Sequence, residues 1–364
     1  MSKSKKSKNI VLIILAVILL LGACFGAVAL YARNEINKPK FTLPEEEPRK
    51  SITELPKDKA SVCAYIEKLY AEAISADDVE GSWRTDARIE GDISSSLSEA
   101  DMAVINYIKD NASGQLSGLY AKEDNLVMSE AKEKPELVLE SGAITEFTAE
   151  QGKTDDEGNV TNDDLYYISF TVNPESADTE EIKESEIYDA ICDKFSSALT
   201  VDDTDITVKA ITYNFVIDRI YDNINSVEIN KEYEVSSKVT FKDLYSSLNN
   251  DDNSFDFVYH TTEYINFRHY GARFTERSIA VSENDMRALP ASVTVKSDAT
   301  AEDYELIFDV SDKNAVSIDE DGVMTVENLT DEPVTVKMTL KYDGHEYTDE
   351  LIVYITELEV ETNG

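Results

Sequence analysis

Sulfur and imidazole are scarce in this chain of 364 residues, which has three cysteines (Cys24, Cys63, Cys192) and three histidines (His260, His269, His345). Three cysteines cannot build a disulfide framework, and none stands in a CxxC or other metal-ligand spacing. Cys63 and Cys192 can pair if the fold joins them; the plainer reading makes each a small buried hydrophobe on the apolar side of a helix. So few histidines leave nucleophile-base catalysis short of candidates. The chain also lacks a GxxxxGK[ST] phosphate loop, a GxGxxG behind a strand and a GxSxG nucleophile elbow. One tryptophan, Trp83, stands against 19 tyrosines. That excess fits a carbohydrate or peptide surface, but half-buried sheet positions account for it more simply.

Positive charge is the other shortage. The chain holds 34 Lys/Arg against 73 Asp/Glu, a net charge of −39, and the imbalance grows beyond residue 50, where 25 face 69. Such a body repels phosphate backbones and anionic headgroups, which excludes nucleic acid as a partner over most of the molecule. Calcium and basic partners are compatible with it. The acidic runs Thr154–Asn159, "TDDEGN", and Asn249–Asp256, "NNDDNSFD", offer oxygens, but neither has the spacing and closing Glu of an EF-hand loop. Polar turns explain both, so no cofactor is expected, with Ca2+ at these turns as the lesser alternative.

The basic residues that do occur cluster at the start. Lys3, Lys5, Lys6 and Lys8 form a basic tail, residues 1–9, before the uncharged apolar run Ile10–Ala32. That run is long enough to span a bilayer, so 10–32 is expected to be a transmembrane signal anchor and the chain's membrane partner. The N-terminus is then cytoplasmic and the body extracytoplasmic, on a bacterial cell membrane. The competing reading takes Leu21-Gly22-Ala23-Cys24 as a lipobox with Cys24 lipidated; the apolar "FGAVALYA" after the cysteine favours the uncleaved span. Residues 33–56, including "NKPKFTLPEEEPRK", read as an extended stalk.

Residues 57–276 read as an α+β domain, or two subdomains, with an antiparallel sheet covered by helices. Val62, Tyr65, Ile66, Leu69, Tyr70 and Ile74 mark a first helix, Met102, Ile105 and Ile108 a second, and Ile187, Ile191, Phe195 and Leu199 a third over about 180–199. Between them lie strand pairs. In one, Val227, Ile229, Tyr233, Val235, Val239 and Phe241 alternate with Glu228, Asn230, Glu232, Glu234, Lys238 and Thr240, a period of two that buries one face and wets the other. "HTTEYINFRH" presents His260, Glu263 and His269 as metal ligands, yet on a strand His260 and Glu263 point to opposite faces. No metal or catalytic residue is therefore assigned. His345, beside the "YDGHEY" hairpin, reads as a surface residue.

From residue 277 to 358, before a short tail 359–364, turn signals recur at short intervals: "SDKN", "DEDG", "NLTDEP" and "YDG". Val334, Val336, Met338, Leu340 and Tyr342 alternate with polar residues, which predicts a small β-sandwich. The order of Leu306–Phe308, Ser311-Asp312, Ala315-Val316 and "SIDEDGVMT", Ser317–Thr325, resembles the group-two bacterial immunoglobulin-like domain. Phe308 stands where tryptophan is usual, and "NLTDEP" replaces the glycine-containing turn. The resemblance covers about the last quarter of the chain. It implies a spacer or adhesion module on a bacterial surface, with no catalytic residues.

These features together point to a membrane-anchored surface protein that is not an enzyme: an interaction, adhesion or envelope-scaffold module with an unidentified envelope or protein partner. Two alternatives stay open. One is a surface hydrolase whose catalytic part is the middle region; the other is an accessory subunit of a membrane secretion or sensing complex.

Overall fold

The computed structural model describes residues 42–44, 50–90, 120–154 except 133, 136 and 138, 160–177, 199–249 and 254–357, together with residue 103 and isolated positions between 179 and 196. These residues divide into two compact units. The larger takes the described residues of 48–270 and 294–299, and the smaller those of 1–47, 271–293 and 300–364. The division falls after Tyr270, where the sequence reading set it after residue 276.

The larger unit is built on a seven-stranded antiparallel sheet. Its strands are β1 (Val79–Glu90), β2 (Tyr120–Val127), β3 (Ile144–Thr154), β4 (Val160–Val172), β5 (Leu199–Asp218), β6 (Asn223–Phe241) and β7 (Ser254–His269), in the spatial order β2-β1-β7-β6-β5-β4-β3. One helix, α1 (Lys59–Ser75), lies on the inner face. Asp58 caps it by accepting the Ser61 amide at 3.0 Å, which satisfies one of the free N–H groups of the first turn. Val62, Cys63, Tyr65, Ile66, Leu69, Tyr70 and Ala73 are its buried stripe, and they meet Ile168, Phe170, Phe215, Val227, Ile229 and Ile265 of the sheet. Each aliphatic side chain so buried contributes roughly 1.5–3 kcal/mol.

The expected fold class needs correction. A membrane helix followed by an α+β region with covering helices is replaced by a mostly β chain, in which α1 is the one α-helix delimited among the described residues. No described helix is long and apolar enough to cross a membrane, and the expected span 10–32, with Cys24, lies outside the described residues. The second expected helix falls almost wholly outside them. Of the third, expected over about 180–199, Ile182, Tyr188, Asp189, Cys192 and Asp193 are described and helical, but Ser196 lies in a turn and Leu199 begins β5 instead of closing the helix. Strand periodicity is blurred in the sequence where Gly81 and Thr85 interrupt the apolar alternation of β1 and where β5 changes phase twice.

That phase change shapes the sheet. β5 pairs with β6 through Val201↔Val239 and Val208↔Tyr233, but Asp203 and Lys209 are extra residues without partners in the register. Each bulge advances the strand by one side chain. Leu199 and Val201 at odd positions, Ile206 and Val208 at even ones, and Ile211, Phe215 and Ile217 at odd ones therefore share the inner face. On that face β6 contributes Val227 and Ile229 to the core under α1, and Tyr233, Val235 and Val239 to a second core with Tyr188 and Tyr259. At Gly81, opposite Leu126 on β2, a Cβ would meet the sulfur of the buried Met128 at 2.1 Å, so a larger residue there would have to displace the Met128 side chain.

The smaller unit consists of short strands: β8 (Gly271–Phe274), β9 (Ser278–Ser282), β10 (Met286–Ala288), β11 (Ala291–Thr294), β12 (Tyr304–Val310), β13 (Val316–Ile318), β14 (Val323–Val326), β15 (Val334–Tyr342) and β16 (His345–Thr356). They form a four-stranded sheet β12-β15-β16-β9, a three-stranded sheet β10-β14-β13 and the pair β11-β8. Val334, Val336, Met338 and Leu340 alternate inward on β15, all almost fully buried. Asp343 and Gly344, with φ of 48° and 83°, make the tight β15–β16 turn that "YDG" signals.

Candidate functional site

The sheet of the larger unit has two faces of opposite chemistry. Its outer face, away from α1, carries a chain of side-chain hydrogen bonds running across four strands. Ser169 on β4 donates to Asn214 on β5 at 2.8 Å, and Asn214 donates to Glu228 on β6 at 3.4 Å. Asn230 donates to the same Glu228 oxygen at 2.6 Å, and Thr262 on β7 donates to Asn230 at 2.9 Å. The register places these groups side by side, because Ser169↔Asn214↔Glu228↔Tyr264 and Thr212↔Asn230↔Thr262 are cross-strand rows. All are half-buried, short or planar, and held by one another.

An aromatic ring flanks the ladder on each side. Arg84 on β1 lies over Tyr264 at 4.6 Å and pairs with Asp86 at 3.5 Å. On the other side Lys153 lies over Tyr167 at 4.5 Å. At the β1–β7 end the face is closed by residues 294–299. There the buried Glu80 accepts from Arg268 at 2.7 Å, from the Ser297 amide at 3.1 Å and from the Ser297 hydroxyl at 2.8 Å. Ion pairing and two further hydrogen bonds compensate the desolvated carboxylate.

On the inner face a charged pair lies where the two apolar cores meet. Lys231 donates to Glu263 at 2.9 Å, between Ile229 and Tyr233. Burial alone would pull the ammonium down, but Glu263 together with Tyr233 and Tyr213 outweighs it and holds Lys231 above its usual range. Such an amine stays protonated and is no nucleophile. Burial likewise pushes Tyr188 up to about 12, and its hydroxyl donates to Thr204 at 2.9 Å. These groups join sheet to core.

A second polar knot closes the β5–β6 hairpin. Arg219, 2% exposed, donates to the Asp163 carbonyl at 2.6 Å and to the Ser51 hydroxyl at 3.2 Å, and its guanidinium lies 3.4 Å from Asp164. Asp222 receives hydrogen bonds from Thr53 and from Tyr65, the latter at 3.0 Å. Burial, then the Asp222 carboxylate, raises the Tyr65 hydroxyl above its ordinary range.

The residues weighed from the sequence are scattered. His260 and Glu263 lie on opposite faces of β7; His260 Nδ1 is 3.8 Å from Glu232, whereas Glu263 holds Lys231. His269 Nε2 contacts the Ile224 carbonyl at 2.7 Å. Among the described residues no three His, Cys, Asp or Glu side chains converge as metal ligands. Cys63 and Cys192 are free thiols in different cores, each raised above its usual range chiefly by burial. His345 lies half-buried beside Tyr347, their rings 6.1 Å apart. Residues 155–159 and 250–253 of the two acidic runs lie outside the described residues; Asn249 exchanges hydrogen bonds with the Phe241 backbone at 2.7 and 2.9 Å.

Sequence reasoning found the wet side of β6 but missed the ladder, because its members lie on four strands and meet only through register. Protein-family models and curated proteins, compared with the chain, return no match.

Proposed function

We propose that this chain is a non-enzymatic interaction and scaffold protein of the bacterial envelope, that its body lies outside the cytoplasm, and that the outer sheet face is its contact surface. The observation carrying this reading is the ladder from Ser169 to Thr262, flanked by Tyr167 and Tyr264. Its side chains are ordered before any partner arrives, which lowers the entropy cost of binding. The C-terminal unit, whose described elements are all strands, acts in this reading as an immunoglobulin-like spacer, as the "SIDEDGVMT" resemblance implies. The acidic body keeps the protein soluble and away from polyanions.

Saturable binding of the purified full-length protein to isolated envelopes of its native cell tests the reading. Asn230→Arg should abolish saturation, while the exposed Glu346→Arg should behave as wild type. Linear, non-saturating uptake of the wild type, or equal binding by the Asn230 variant, would refute it.

A further inference from the structure

Resting on that reading, we infer that the occupant of the outer face is an uncharged polysaccharide strand, lying across β4 to β7 between Tyr167 and Tyr264. The chemistry of the face selects this class by what it offers and what it lacks. A protein partner draws most of its affinity from large anchors buried at the interface centre. The exposed large apolar residues of the described chain are Ile52, Leu126, Leu244, Met286, Leu329 and Ile352, and none belongs to this face. A polyanion is opposed by a net charge of −39. On the face itself Arg84 pairs with Asp86, and Glu228 is held by Asn214 and Asn230, within a field of Ser, Thr, Asn and Tyr.

Amides and hydroxyls both donate and accept, as do sugar hydroxyls, so each can exchange a water contact for a sugar contact without leaving a group unpaired. Tyr167 and Tyr264 add phenol hydroxyls, which also donate and accept. The cations over their rings bring N–H donors to the sugar hydroxyls. Three strand spacings and one same-face step separate the two rings, on the order of 15 Å, a span suited to a short oligosaccharide stretch rather than one sugar. A strand that meets the whole ladder gains by summation, each contact being weak alone.

The test is retention of the full-length protein on insoluble neutral glycans: chitin, cellulose, and cell-wall glycan stripped of its peptides and anionic polymers. Retention on at least one is expected, weakened about tenfold or more by Tyr264→Ala and by Asn230→Ala, with unchanged circular dichroism. Soluble oligosaccharide of the same glycan should elute the protein and polyphosphate should not. Failure of the wild type to bind any of the three, equal retention of both variants, or elution by polyphosphate overturns the inference. If saturable, Asn230-dependent envelope binding persists while all three glycans fail, the contact surface stands and its glycan occupant does not.

Discussion

The two units keep their folds by different means. Every charged residue that is buried among the described residues, Glu80, Asp218 and Arg219, belongs to the larger unit, whereas the core of the smaller is apolar, with Ser278 its one buried polar residue. The larger unit uses strands of up to 20 residues, and contacts distant in the chain are held by polar clamps: Arg219 reaches Ser51, and Glu80 reaches Ser297. The smaller unit relies on local turn chemistry. Asp319 accepts the amides of Asp321 and Val323 at 3.0 and 2.8 Å, and Asp312 accepts that of Asn314 at 2.9 Å. Long-range order needs directional partners, and short hairpins need turn residues.

Substitutions can break this contrast, and the largest effect belongs to the larger unit. Arg219→Ala leaves three buried or half-buried acceptors without their donor and should cost about 3 kcal/mol. Amide hydrogen exchange should rise in β4 to β6 and stay unchanged in β15 and β16. Arg219→Lys should recover only part, since an ammonium cannot span the same fork. Uniform loosening of both units would show that the clamp is not what distinguishes them.

A smaller effect is expected at Gly322, whose φ is +74° and whose Cβ would lie 3.3 Å from the Phe308 ring. Gly322→Val combines left-handed strain with crowding and should cost about 2 kcal/mol, seen as faster exchange confined to β12, β13 and β14. Near-neutral behaviour would mean that the turn is not what holds this unit.

The smallest effect concerns acid. Hydrogen bonds hold the carboxyls of Asp58, in the larger unit, and Asp303, in the smaller, below the ordinary value of 3.8. Lowered pKa values stabilise the fold above the unfolded value, and this contribution vanishes as pH falls through the folded ones. Asp58→Asn and Asp303→Asn should therefore flatten the loss of stability below about pH 4 in their own units and leave its pH dependence near neutrality unchanged. Unaltered acid limbs in both variants would remove these carboxyls from the account.

Legibility followed sequence distance. The helical spacing of Val62, Tyr65, Ile66, Leu69 and Tyr70 coincides with the buried stripe of α1, and the alternation of β6 with its inner and outer faces. On β5 the same rule failed, since Asp203 and Lys209 shift the phase and their effect appears only against the partner strand. The opposed directions of His260 and Glu263 could be read from a period of two alone. Their actual partners, Glu232 and Lys231, could not, being residues of another strand.

By itself the sequence determined local matters: where a three-to-four spacing buries one side of a helix, where alternation separates wet from dry, where Asp and Gly turn the chain, and the net negative charge. Tertiary structure decided which wet residues lie together. Register brings Ser169, Asn214, Glu228, Asn230 and Thr262 into one ladder, and the clamps join Glu80 to Ser297 and Arg219 to Ser51. The physical reason is that periodicity is a property of neighbouring residues. A cross-strand row depends on pairing, and one bulge in one strand is enough to change every neighbour beyond it.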